Sequence, residues 1–186
     1  MKERKEIISL GIANLLSLAL LASAAVLFGG IYWAVWGFWE TWEYLMDGPA
    51  WAFPVSLLEL MVAMLACTVI HELIHGLVWA LFAKGGFRSI SFGVMWKYMA
   101  PYCHCSEPLK VHHYQWGASA PLIILGIIPA LMAIPLKSVF LLSLGIIMIS
   151  GAAGDIMVIW KTRKEKPTNL LLDHPTEAGY MVYEKD

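Results

Sequence analysis

The chain has 186 residues, of which 59% are hydrophobic and only 15% charged, and its mean hydropathy is +0.66. A soluble domain carries about 25% charge and roughly half apolar residues. The composition therefore excludes an ordinary soluble enzyme and points to an integral membrane protein with the lipid bilayer as its first partner. The net charge is −1 and no basic run is long enough to suggest nucleic acid, so no nucleic-acid partner is expected. The three cysteines, Cys67, Cys103 and Cys105, make no framework of the kind found in oxidising compartments.

Lys2, Arg4 and Lys5 open the chain, and an apolar run follows from Ile7 to Trp36. Its length of about 30 residues exceeds the core of a signal peptide, so an uncleaved helix is expected despite Ala22-Ser23-Ala24. At 1.5 Å per residue that helix is ~45 Å long and must tilt, protrude or bend at Gly29-Gly30. Trp33, Trp36, Trp39, Trp42, Tyr44 and Trp51 then surround Glu40, Glu43 and Asp47, with Gly48-Pro49 as a break, which predicts a turn at the membrane interface.

A second helix is predicted from about Pro54 to Ala83, stopped by Lys84-Gly85-Gly86. From Phe87 to Cys105 the period changes to two. Ile90, Phe92, Val94, Trp96 and Tyr98 fall on one side, as in a strand or hairpin near the membrane surface. A third helix is expected from about Tyr114 to Leu136, distorted by Pro121, Pro129 and Pro135. After a tight turn at Lys137-Ser138, a fourth runs from about Val139 to Trp160 and is closed by Lys161, Arg163, Lys164 and Lys166.

Lysine and arginine gather at the N-terminus, in the 84–110 loop and at 161–166, and are nearly absent from the 37–50 loop and the 137 turn. By the positive-inside rule, both termini and the long loop are cytoplasmic, which requires an even number of spans. The expected fold is an all-α membrane protein of about four transmembrane helices with a short β-hairpin on the cytoplasmic side. It lies in the cell membrane as a multi-pass protein. Residues 1–166 form the membrane domain, and 167–186 form a cytoplasmic tail that packs on it.

The chemistry concentrates at His71-Glu72-Leu73-Ile74-His75. Residues four apart on a helix present their side chains to one point, so His71 and His75 can hold a zinc ion between them. Glu72 beside them can serve as the general base. A chance H-E-x-x-H in a chain of this composition is about a one-in-a-hundred event. Its setting strengthens it, since polar side chains in an apolar helix are costly. One ionised group at mid-span costs ~2.5–3.5 kcal/mol, whereas a structural zinc site returns an apparent ~10–16 kcal/mol.

An open zinc site needs a third protein ligand. Asp155, in Ser150-Gly151-Ala152-Ala153-Gly154-Asp155, is an acid in an otherwise apolar span. Counted from the basic boundary, it lies ~9 Å inside and His75 ~13 Å inside. The two depths agree within what tilt allows. The small residues around Asp155 would let the fourth helix approach the second closely.

His71-Glu72-Leu73-Ile74-His75-Gly76, the short hairpin loop and Gly151-Ala152-Ala153-Gly154-Asp155 resemble a family of small zincin membrane peptidases. The ending Asp173-His174-Pro175-Thr176-Glu177-Ala178-Gly179-Tyr180 is similar to that family's as well. The family in turn resembles the site-2 proteases, whose three-helix core holds zinc through H-E-x-x-H and an Asp on a later helix. The resemblance implies a zinc-dependent intramembrane endopeptidase, with His71, His75 and Asp155 as metal ligands, Glu72 as base, and a membrane-protein or peptide substrate. The chain departs from the site-2 protease pattern in having no Asn or Pro in the stretch before Asp155, so an oxyanion-stabilising residue is not identified.

Other readings stay open at this stage. Cys103-His104-Cys105 could bind metal weakly from one face of a strand, and His112 or His113 could assist an oxyanion. A non-catalytic metal-binding or transport protein fits the same residues, because intramembrane ionisable groups also mark ion paths. A membrane di-iron oxygenase would need more clustered histidines than the six present. The tail, through Leu170–Leu172 and Tyr180–Tyr183, could lie over the opening as a lid, with His174 an ordinary surface residue. Substrate identity and oligomeric state are not readable.

Overall fold

The computed structural model describes residues 2–46, 52–96, 100–174 and 177–184. The break expected at Asp47, Gly48, Pro49 and Trp51, and Tyr98 of the alternating run, lie outside them.

Strand β1 (Lys2–Ile7) precedes α1 (Leu10–Trp36), a 27-residue helix without a charged side chain. In lipid a helix satisfies its own backbone, which suits so apolar a run. A π-helical stretch, Ala25–Gly29, interrupts it just before Gly30. Gly37 adopts a φ of 79° that a side chain would resist, and the chain turns there into α2 (Phe38–Met46). Helix α3 (Ala52–Ala80) carries the two histidines in its second half.

The alternating run forms the expected hairpin, β2 (Ile90–Met95) and β3 (Ala100–Cys105), antiparallel with Ile90 opposite Cys105, Phe92 opposite Cys103 and Val94 opposite Pro101. A two-residue strand, β4 (Leu109–Lys110), leads into α4 (Val111–Met132). Within α4, Pro121 cannot donate to the helical ladder, and a π-helical stretch, Leu122–Ile127, follows it. Ser138 caps α5 (Val139–Gly151), its Oγ accepting the Leu141 N–H at 3.2 Å. The sequence predicts one helix from there to Trp160. The structure instead breaks it at Ala152, and α6 (Ala153–Thr162) leaves at 47° to α5.

Strands β5 (Leu170–Asp173) and β6 (Gly179–Glu184) complete a four-stranded antiparallel sheet in the order β1-β6-β5-β4. The chain is thus mostly helical, with three helices long and apolar enough to cross a membrane, or four if the bent pair is one span. The all-α expectation omits this sheet. Its strands are short, and β1 is charged on both faces, so they carry little of the apolar signal that marks the helices. Leu171 and Val182 nonetheless point inward and are fully buried.

Two buried clusters result. One lies within the membrane helices, where Ala24, Tyr32, Ala130, Leu142, Ile146 and Ile149 pack together. There Gly145 lets α5 approach the backbone at Gly126 and Ala130, a contact that a Cβ would forbid. The second joins Trp79 and Ala83 to Cys105, Leu109, Tyr114, Leu171, Tyr180 and Val182, and so ties α3, the hairpin, α4 and the sheet into one body. The candidate site borders it.

Candidate metal centre

His71 and His75 stand one turn apart on α3, and Asp155 lies in the first turn of α6, just past the break. The His71 Nε2 is 3.0 Å from Asp155 Oδ2, and the His75 Nε2 is 3.2 Å from Oδ1. The three donor atoms lie within 4.8 Å of one another, and this is the one such group among the described residues. The depth agreement read from the sequence is therefore a contact in the structure.

The hydrogen atoms constrain what this contact can be. His75 Nδ1 meets the Gly117 carbonyl at 2.8 Å. A carbonyl only accepts, so the proton of a neutral His75 sits on Nδ1, and its Nε2 lone pair faces a carboxylate oxygen. Two acceptors face each other across 3.2 Å. They need a cation between them, either a proton or a metal, and a backbone carbonyl behind the ring is the usual partner of a metal-bound histidine. Two imidazoles and a carboxylate are also a donor set that suits zinc. The residues fit the metal.

Glycines set how closely the walls approach. Gly76, which follows His75, faces the hairpin, and a Cβ there would overlap the Phe92 ring and Ile90 Cγ2. A Cβ at Gly117 would overlap the Trp79 indole. Trp79 stacks between His75 (5.1 Å, 14°) and Tyr114 (5.3 Å, 16°), and its Nε1–H donates to the Tyr114 carbonyl at 3.1 Å. Gly151 and Gly154 behave differently from the expected close-packing role. A Cβ at either meets nothing within 4 Å, and both line a cavity. They keep space open beside Asp155 and leave the contact with neighbours to Ala152 and Ala153, which are buried.

That cavity, of about 600 Å³, is lined by His71, Glu72, His75 and Asp155, by Tyr102 and Cys103 of the hairpin, and by tail residues including Asp173 and His174. Glu72 and Cys103 thus face the same cavity from α3 and from the hairpin. Sequence reasoning placed His174 on the surface. In the structure its side chain is only 9% exposed, and its Nδ1 accepts the Glu177 N–H at 3.0 Å. It also missed Asp173, a buried carboxylate that accepts the Cys105 N–H at 2.8 Å and the Tyr114 hydroxyl at 2.5 Å. Burial raises the Asp173 pKa, while those two donors pull it back down. The signal was there in the tail's similarity to a family ending, but nothing in residue spacing connected it to the site.

Cys103 and Cys105 do share a face of β3, as the strand reading expects. Burial pushes the Cys103 thiol up, and the Cys105 thiol up to about 11. Both stay protonated near neutral pH, which disfavours metal binding there. His113 stacks on Phe82 at 3.9 Å, and neither it nor His112 lines the cavity.

Two histidines, a glutamate and an aspartate, carried on helices apolar enough to cross a membrane and set beside a small β-hairpin, are the site that this fold builds. Residues 64–170, more than half of the chain, match the family described as "Putative zincin peptidase", and the chain belongs to that family. No curated protein and no solved structure matches significantly.

Proposed function

We propose that the protein is a zinc-dependent endopeptidase of the membrane that cleaves a membrane-associated protein, with His71, His75 and Asp155 as metal ligands and Glu72 as general base. The observation that carries this reading is the His75 Nε2 facing the Asp155 carboxylate with its proton committed to Gly117. When bound, zinc supplies a Lewis acid that polarises a peptide carbonyl and makes water acidic near neutral pH. Glu72 takes the proton of the attacking water and returns it to the leaving nitrogen. The apolar wall of Val94, Met95 and Pro101 helps to keep bulk water from that carboxylate. A helical substrate has its amides tied up in its own hydrogen bonds, so it must unwind first. The hairpin beside the cavity offers a strand edge that can hold the unwound segment extended.

The arrangement agrees with the site-2 protease resemblance, in which an Asp on a later helix completes the site. Pairing of β1 with β6 supports an even number of spans, because it puts both chain ends on one side. Four spans, with the bent pair counted as one, follow from that. The basic segments at both ends and in the loop favour the cytoplasmic side of the cell membrane.

Metal analysis tests this reading. The purified protein should hold one zinc per chain and lose it on Asp155→Ala. A protein that takes up no stoichiometric zinc, or an Asp155→Ala form that keeps it, overturns the ligand set.

A further inference from the structure

We propose that Asp173, in the C-terminal strand, is a positioning residue of the candidate site that sets the His75 ring and the Glu72 carboxylate from behind. Its chemistry rests on the zinc-peptidase reading; its geometry does not.

Two branches leave this carboxylate. Oδ1 accepts the Tyr114 hydroxyl, and the Tyr114 ring stacks on Trp79, which stacks on His75. Asp173 thus holds the far end of a continuous stack whose near end is a proposed metal ligand. The same helix returns to His75 one turn later through the Gly117 carbonyl. Oδ2 accepts the Cys105 N–H at the end of β3, two residues from Cys103, which lines the cavity together with Glu72. One buried group, 8% exposed, therefore fixes both walls of the cavity relative to each other. A tail used only as a removable lid would have no need of a buried carboxylate bonded to two separate elements. Unpaired donors would be left behind in a closed interior if it were removed, and such groups are costly. On this account residues 170–184 are part of the site and cannot be dispensed with.

The test compares Asp173→Ala, Asp173→Asn and Tyr114→Phe with Leu171→Ala in the full-length protein in detergent. Leu171 is fully buried in the same strand, so its truncation loosens the tail without touching the carboxylate. Two readouts are taken. Cobalt(II) titration gives metal affinity and the visible absorption band. NMR of ¹³C-labelled histidine in the metal-free protein follows the ring signal that is lost in His75→Ala. Asp173→Ala should weaken cobalt binding about tenfold, in line with supporting residues of metal sites, and should alter both the band and the His75 signal. Asp173→Asn, which keeps an acceptor for Cys105, should restore most of the affinity. Tyr114→Phe should move the His75 signal alone, and it carries the test if Asp173→Ala does not fold. Leu171→Ala should lower thermal stability and leave band and signal in place. The proposal is overturned if the Asp173 and Tyr114 variants move the His75 signal no more than Leu171→Ala does. A wild-type protein that binds no cobalt strikes down the zinc reading instead, and the metal-free histidine signal still decides the positioning role.

Discussion

The two halves of α3 share one helix and one apolar composition, yet they live in different surroundings. From Val55 to Val69 the helix turns Leu57, Leu58, Met61, Val62 and Leu65 outward. From His71 onward the buried residues Ile74, His75 and Trp79 meet the hairpin and α4. The second half needs particular residues at particular places: Gly76 under Phe92, His75 against Gly117, and Trp79 between two rings. The first half makes no such demands, and even Ser56 and Glu59 stand exposed among its apolar residues.

The sharpest way to separate the halves is chemical. Glu72→Gln keeps the shape of the second half and removes its base, so cleavage should fall at least ~100-fold, the usual share of general acid–base catalysis. Zinc should stay bound, because the ligands are untouched. The measurement is zinc content alongside cleavage of a membrane-protein substrate, and undiminished cleavage would remove Glu72 from the mechanism. Gly76→Ala is the packing counterpart. It pushes a methyl into Phe92 and Ile90 and should cost ~1–3 kcal/mol, read as a lower thermal midpoint. An unchanged midpoint would mean that the hairpin does not sit on α3 as described.

The same contrast explains what the sequence disclosed. The lipid-facing runs, the four-residue spacing of His71 and His75, and the two-residue period of Ile90, Phe92 and Val94 are local patterns, and they were readable. Asp155 was readable as an acid in an apolar span, but the break at Ala152 that aims it was not. Gly151 and Gly154 suggest close packing as readily as a void. β1, β5 and β6 owe their structure to one another across the length of the chain, and Lys2 to Ile7 reads locally as a basic flank. The role of Asp173 depends on Cys105 and Tyr114, which lie 68 and 59 residues away in sequence. Long-range hydrogen bonding leaves no period to detect.

Acid should loosen the sheet's attachment to the helices. Glu6 on β1 takes a hydrogen bond from Lys161 on α6 at 3.0 Å, and this bond, with help from Arg4, holds its carboxyl below the ordinary glutamate range. A depressed carboxylate pKa adds stability that is full above the unfolded value of about 4.3 and is lost as pH falls through the lower folded value. The pair is partly exposed, so its worth is at most ~1 kcal/mol. The thermal midpoints of wild type and Glu6→Gln, apart at pH 7, should therefore converge only once the pH is below that folded value, at roughly pH 2. A gap that persists there would assign the effect to packing in place of charge.

The smallest effect is expected from the lipid-facing half itself. Leu65 is 63% exposed, and Leu65→Ala removes a side chain that the rest of the protein largely leaves uncovered. Little packing is lost, and lipid or detergent fills the volume, so the change in stability should stay within ~0.5 kcal/mol. The informative comparison is with Gly76→Ala, eleven residues along the same helix, where adding one methyl should cost more than removing an isopropyl group here. If Leu65→Ala destabilised as strongly as Gly76→Ala, the outward face would have to be covered in the membrane by protein, with a second copy of the chain as the first candidate. Such a result would join the two halves of α3 under one rule, because shape would then matter along the whole helix.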